Sequence, residues 1–107
     1  MDDSVMVVLC TAPDRATAQL LVERLLKNGL AACVTVVPGA ESHYVWEGKR
    51  ERSEEFLLLI KTTAGRYLAL EKEVTATHPY KCPELLGLAV KEAWEPYAQW
   101  VRQSVRN

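Results

Sequence analysis

The sequence predicts an α+β fold of the ferredoxin-like βαββαβ type, an antiparallel sheet with two helices on one face and an extra C-terminal helix. The main observation is that strand-like and helix-like hydrophobic spacing follow one another in that order. The second is size, because 107 residues, 49% apolar and 25% charged, suit one core. We therefore expect a single domain over residues 1–107.

The first strand and the first helix have clear limits. Residues 5–10 are nearly all apolar and predict a strand. Asp14 is a suitable N-cap for a helix, and Asn28-Gly29 is a typical helix end. Between them the apolar residues follow helical spacing, at Ala18, Leu21, Val22, Leu25 and Leu26.

A long hairpin is predicted next. Residues 31–37 are rich in β-formers and run into Pro38-Gly39, which indicates a bend or bulge before the strand resumes in HYVWEG. Gly48 marks the hairpin tip. The return strand, Arg52–Thr63, contains the unbroken run FLLLI, which is typical of a central strand covered on both faces.

The last three elements are a helix, a short strand and a helix. Pro79 prevents the second helix, with Leu70 and Val74 on one side, from continuing past His78. Residues 85–90, LLGLAV, predict a strand. Pro96 suits a first helical turn, and the apolar side of this C-terminal helix carries Tyr97, Trp100, Val101 and Val105.

The hairpin also indicates self-association. Its arms, residues 31–47 and 52–63, exceed the about 5–6 residues of a common strand. An exposed edge with Tyr44, Val45 and Trp46 would favour aggregation of a monomer. We therefore expect the hairpin to pair with a neighbouring subunit in a closed ring.

Composition argues against several classes of partner. The net charge of −1 provides no basic surface for nucleic acid. The opening MDDSV is acidic and VMVVLC is short, so neither a signal peptide nor a membrane span is expected. Cys10, Cys33 and Cys82 form no C-x-x-C pair. We therefore expect a cytoplasmic protein with free thiols.

Cys10 and His78 are the main candidates for chemistry. Cys10 is either a structural thiol or a reactive one, because the adjacent helix N-terminus can lower a thiol pKa. His78 either caps the second helix or binds a metal, since imidazole and thiolate suit copper or zinc. Cys82 is close to His78 in sequence, but this spacing is not a known ligand motif.

The sequence gives little support to catalysis. A phosphoryl-hydrolysing loop would need glycine-rich backbone N–H groups, whereas TAPDR offers Arg15 without glycine and Pro13 without an N–H. A Cys10–His78 nucleophilic pair lacks a visible third group to orient it. We therefore predict that the protein is not an enzyme.

Four segments together resemble the CutA divalent-ion tolerance protein family. They are VVLCTAPDRATAQLLVERLLKNGLAACVTVVPGAESHYVWEGK from Val7, LLIKTT from Leu58, HPYKCPELL from His78 and YAQWV from Tyr97. The resemblance implies a ferredoxin-like fold in an interlocked homotrimer, a cytoplasmic location, copper binding and a role in tolerance of copper and other divalent metals. It also implies an alternative, a PII-like trimeric signalling or adaptor module that binds a small effector or protein partner.

The resemblance also implies site residues. The family's copper-binding cysteine matches Cys10, and its pair of histidines matches Thr77-His78, so that one imidazole is replaced by a poor ligand. Cys82 is a possible substitute ligand. Other positions that the family shares imply a subunit interface or a pocket; they are Tyr44, Trp46, Lys61, Glu84 and Trp100. A lysine buried in an interface needs an anionic partner, and Glu84 is a candidate partner for Lys61.

Overall fold

The computed structural model describes residues 2–105, so Met1, Arg106 and Asn107 of the predicted 1–107 domain lie outside the described residues. Within this range a 3₁₀ turn, Ala64–Arg66, precedes the second helix. The predicted order of strands and helices is confirmed; the elements are β1 (Val5–Ala12), α1 (Arg15–Lys27), β2 (Cys33–Trp46), β3 (Lys49–Thr63), α2 (Tyr67–Thr77), β4 (Leu86–Ala89) and α3 (Glu95–Ser104).

The four strands form one antiparallel sheet in the order β2-β3-β1-β4. β3 is therefore a central strand, as its apolar run predicts. β1 continues two residues beyond the predicted end at Cys10, because Thr11 and Ala12 still pair with Leu57 and Phe56 of β3. The sheet leaves β2 and β4 as its outer strands.

The hydrophobic core lies between the sheet and helices α1 and α2. Cys10 and Leu58 are register partners, and both are fully buried on this face with Leu21 of α1 and Leu70 of α2. Burying each such leucine stabilises the fold by about 1.5–3 kcal/mol. The two predicted helices thus share one face of the sheet.

Helix α3 packs against the opposite face. It contacts β3 and β1, and its Tyr97 lines a pocket with Val7 and Lys61, whose side chains alternate with the core residues of those strands. Its buried Val101 is outside the main core cluster. This helix therefore covers one end of the second face and leaves the other end open.

Local signals explain the ends of the helices. The Asp14 side chain caps α1 by accepting a hydrogen bond of 2.8 Å from the Thr17 N–H. Gly29 has a φ of 65°, a conformation that glycine adopts without steric cost, and it ends that helix. Helix α2 ends at Thr77, two residues before Pro79. These are the limits that the sequence predicts.

The first arm of the hairpin is shorter than predicted and the second arm is longer, since β2 has 14 residues from Cys33 to Trp46 and β3 has 15 from Lys49 to Thr63. A two-residue turn, Glu47-Gly48 with positive φ at both positions, joins them. A β-bulge separates Val37 from Ala40: three steps along β2 match two steps along β3. The bulge confirms the bend predicted at Pro38-Gly39, and it reverses which side chains of β2 lie on each face beyond it.

The helices of the described chain are short. None between residues 2 and 105 is both long and apolar enough to cross a membrane.

Candidate functional site

A pocket of about 610 Å³ opens between the far half of the hairpin and the loop after α2. We call it the hairpin cleft; its walls include Tyr44, Trp46, Cys82 and Glu84, four residues that the sequence singles out. The bulge places Tyr44 and Trp46 on the same face as Glu55 of β3. The cleft therefore joins the hairpin and the loop after α2 into one candidate site.

Glu55 and Tyr80 form the floor of the hairpin cleft. Glu55 is only 6% exposed, and its Oε2 accepts a hydrogen bond of 2.9 Å from the Tyr80 hydroxyl. Burial, together with the hydrogen bond and charge of Glu55, raises the pKa of Tyr80 to about 12. The tyrosine therefore remains a neutral donor to the carboxylate at neutral pH.

Sequence reasoning missed Glu55 and Tyr80 as site residues. A signal for Glu55 was present, because the adjacent Glu54 and Glu55 alternate across the sheet and the buried run FLLLI follows directly. The only sequence signal for Tyr80 was its position in HPYKC, and this segment is a loop whose course no sequence pattern predicts. The two residues lie 25 positions apart in the chain.

Cys10 and His78 converge on one acceptor, the backbone carbonyl of Thr11. His78 Nε2 donates to this oxygen at 2.7 Å, and Cys10 Sγ donates to it at 3.6 Å. His78 Nδ1 accepts from the Tyr80 N–H at 3.1 Å, so the ring is neutral with its proton on Nε2. The fold thus brings the predicted thiol and imidazole together, each with a hydrogen-bond partner.

The helix dipole does not make Cys10 a thiolate. Burial, together with the charges of Glu84 and Glu55, raises its pKa to about 12, although a hydrogen bond with the backbone of Thr11 acts in the opposite direction. The sequence-based alternative of a thiol pKa lowered by the α1 N-terminus is therefore wrong. The cost of removing a charged sulfur from water exceeds any benefit from the helix end.

Thr77 and Cys82 do not share the hydrogen bonds of this pair to the Thr11 carbonyl. Thr77 Oγ1 donates to Glu73 Oε2 at 3.2 Å, along α2, whereas Cys82 is exposed in the hairpin cleft. Across residues 2–105 no three His, Cys, Asp or Glu side chains are grouped to hold a metal ion. One chain therefore does not form a complete metal site, and metal ligation by these residues stays a prediction.

Lys61 and Trp100 lie beside the opposite end of the sheet. The Lys61 ammonium donates to Thr35 Oγ1 at 2.6 Å and to the Leu59 carbonyl at 3.0 Å. It lines a second pocket, of about 470 Å³, next to Tyr97, whose ring lies 5.6 Å from that of Trp100. Lys61 and Glu84 line different pockets, so a pairing between them stays a prediction for two copies of the chain.

Comparison with known proteins gives consistent matches over most of the chain. The family model described as CutA1 divalent ion tolerance protein matches residues 6–104. A divalent-cation tolerance protein CutA from Escherichia coli is 48% identical over 101 residues, which cover 94% of this chain and 90% of the relative.

Solved structures match as well. The Thermus thermophilus divalent cation tolerance protein superposes with a TM-score of 0.91 at 39% identity, covering 94% of this chain and 97% of the other. CutA1 from Oryza sativa gives a TM-score of 0.94 at 38% identity, covering 98% of this chain and 96% of the other. The similarity therefore extends over sequence and fold alike.

Proposed function

We infer, since this chain belongs to the CutA1 divalent ion tolerance protein family, that it contributes to divalent-cation tolerance by binding copper or a related ion as a homotrimer. The observation that supports metal binding most directly is the convergence of Cys10 Sγ and His78 Nε2 on the Thr11 carbonyl. Thiolate and imidazole together suit copper and zinc. Among the described residues, Cys10 and His78 are the one cysteine and histidine that donate hydrogen bonds to the same backbone atom.

The state of this pair predicts weak binding with a strong dependence on pH. The Cys10 thiol must lose a proton that burial retains, and the His78 ring must release one of its backbone partners. Two ligands also leave the coordination incomplete. Cys82 and Glu84 of the hairpin cleft, from this copy or a neighbouring one, are candidates to complete it.

The shape of the chain supports the homotrimer. The molecule measures 44 × 26 × 22 Å, and the far half of the hairpin exposes Val45 and Trp46. All four residues of the outer strand β4 are exposed, including Leu86 and Leu88. Exposed apolar strands at both sides of a sheet are aggregation-prone unless another chain pairs with them.

We propose a cytoplasmic location, because the three cysteines are free thiols, as is usual in a reducing compartment. The family is described by cation tolerance and not by a reaction. That this chain has no catalytic activity stays a prediction.

A copper titration tests the proposal. Cu(I) and Cu(II) are titrated into the reduced protein, with Cys10→Ser and His78→Ala beside the matched controls Cys33→Ser and His43→Ala. We expect the first two variants to lose bound copper and the controls to keep it. Light scattering should give three times the 12.0 kDa chain mass for every variant.

Two results would contradict the proposal. Equal copper binding by all five proteins would exclude Cys10 and His78 as ligands. A mass equal to that of one chain would exclude the homotrimer.

A further inference from the structure

We propose that Asn28 is a site of deamidation and that the C-terminal turn of α1 controls the rate of this modification. The reaction converts the side-chain amide of Asn28 into an acid, as aspartate or isoaspartate. The inference goes beyond the proposed function and does not depend on metal binding. It rests on the residue pair Asn28-Gly29, the backbone conformation there and the hydrogen bonds of one turn.

The pair Asn28-Gly29 has the reacting groups of this modification. The backbone nitrogen of Gly29 attacks Cγ of Asn28, so that a new C–N bond closes a succinimide ring. The bond between Cγ and Nδ2 breaks, and ammonia leaves with the proton of the Gly29 N–H. Water then opens the ring at either carbonyl. Because glycine has no Cβ, no side chain hinders the approach of its nitrogen.

The native turn keeps the two reacting groups apart. Asn28 has a ψ of 9°, so the Gly29 nitrogen eclipses the nitrogen of Asn28 and lies away from Cβ, the atom that carries Cγ. The Cα–C bond of Asn28 must rotate before the ring can close. In addition, the Gly29 N–H donates to the Leu26 carbonyl at 3.2 Å. The reaction therefore requires the turn to open first.

Backbone hydrogen bonds hold the turn closed. The Asn28 N–H donates to the Arg24 carbonyl at 3.2 Å, and the Leu30 N–H donates to the Leu25 carbonyl at 2.9 Å. The Leu30 side chain is only 5% exposed and belongs to the core cluster. Opening of the turn is thus a local unfolding step, which costs free energy and slows the modification.

Arg66 fastens the turn to a second element, the 3₁₀ turn before α2. Its Nε donates to the Gly29 carbonyl at 3.3 Å, and its Nη2 donates to the Asn28 carbonyl at 3.4 Å. A donor on the Asn28 carbonyl also acidifies the N–H of the same peptide, which would favour attack. Both bonds are long, so this effect is small. The net effect of Arg66 is protection, because the ring cannot close in the fastened turn.

The contacts that support the inference lie within one chain and do not rely on the exposure of any side chain. The turn precedes β2, at the end of that strand opposite to the hairpin tip Glu47-Gly48. It also extends from α1, which packs on the face of the sheet away from α3. Association through the hairpin therefore leaves these hydrogen bonds in place.

Two rates measured on the native protein test the proposal. Native protein and chain unfolded in guanidinium chloride are incubated at the same pH and temperature, and mass spectrometry of the peptide containing Asn28 follows conversion of the amide to the acid. Hydrogen exchange of the Gly29 N–H is measured on the native protein. We expect the fold to slow deamidation and exchange by about the same factor, because both require the turn to open.

Arg66→Gln and Lys27→Gln provide a matched pair of variants. Both remove a positive charge near the turn, since Lys27 is in the last turn of α1. Arg66 is the side chain of the described chain that donates to the Asn28 and Gly29 carbonyls. We expect Arg66→Gln to speed native deamidation about threefold or more, from the loss of these bonds, and Lys27→Gln to leave it unchanged. Asn28→Gln should abolish the mass change, and circular dichroism checks that each variant folds.

Four outcomes would overturn the inference. They are the absence of deamidation in the unfolded chain, equal rates in the native and unfolded chains, a native rate far from the one that Gly29 exchange predicts, and slower deamidation in Arg66→Gln. The first three remain decisive if Arg66→Gln fails to fold. A failure of copper binding would contradict the proposed function and leave this inference intact.

Discussion

Tyr80 donates a hydrogen bond of 2.9 Å to the nearly buried carboxylate of Glu55. The bond fixes the loop after α2 to the central strand β3, on the face away from helices α1 and α2. Because the same loop also carries His78, Cys82 and Glu84, this contact positions the candidate ligands as well as the floor of the hairpin cleft.

Replacement of Tyr80 by Phe should destabilise the protein. The change leaves a buried carboxylate without its donor, which costs about 1–3 kcal/mol of the free energy of unfolding. Urea titration at fixed protein concentration measures it. Tyr44→Phe is the control, since the bond between its hydroxyl and Ser53 is exposed, and a smaller loss is expected. Equal losses in both variants would show that burial of Glu55 does not matter.

Stability should fall as the pH rises above about 9. The pKa of Cys10 rises from 9.0 to about 12 on folding, and that of Tyr80 from 10.0 to about 12. The unfolded chain therefore releases these protons first, so the free energy of unfolding decreases between pH 9 and 12. Below pH 9 both groups are protonated in the folded and the unfolded chain, so their full contribution to the free energy of unfolding is present.

Denaturant titrations across this pH range, in the presence of a chelator, measure the effect. The Cys10→Ala variant should show a shallower decline than the wild type. A decline of the same slope in both would mean that Cys10 does not titrate differently in the folded and unfolded chains.

The three thiols should react at very different rates. Cys82 is exposed, Cys33 is half-buried, and Cys10 is fully buried with a pKa of about 12. A disulfide reagent at neutral pH should therefore modify Cys82 first and Cys10 only on unfolding, because the thiolate is the reactive form. Cys82→Ser should remove the fast phase. Rapid labelling of native Cys10 would contradict the burial described.

Core and surface leucines should differ sharply in their effects. Leu21→Ala removes a fully buried side chain from α1 and should cost about 2–5 kcal/mol of the free energy of unfolding. Leu68→Ala, on α2 and 77% exposed, should change it by less than about 0.5 kcal/mol. Thermal and urea unfolding provide the comparison. A similar cost at both positions would place Leu68 in a contact between copies of the chain.

Most of the fold was predictable from the sequence because its signals are local. Asp14, Gly29 and Pro79 set helix limits through backbone chemistry, and those limits are observed. The hydrophobic run FLLLI identified the central strand. Strand ends were less accurate, since Thr11 and Ala12 are held by pairing with β3, an interaction that a local pattern does not record.

The candidate site was predictable only in part. Tyr44, Trp46, Cys82 and Glu84 were singled out and share the hairpin cleft. Their assembly depends on the course of an irregular loop, and so does the partner of Glu55. The thiol pKa of Cys10 was also not accessible, because burial outweighs the helix end and burial is a property of the whole fold.

The bulge between Val37 and Ala40 changes which residues of β2, odd-numbered or even-numbered, lie on a given face of the sheet. Before it, odd-numbered residues share the face of Leu57; after it, even-numbered residues do so. Loss of one residue at Pro38-Gly39 would let two steps along β2 match two steps along β3, so Ala40 would still pair with Glu55, and Tyr44 and Trp46 would stay on the cleft face. Such a deletion is therefore expected to remove the local bend of β2 and to keep the pairing beyond it.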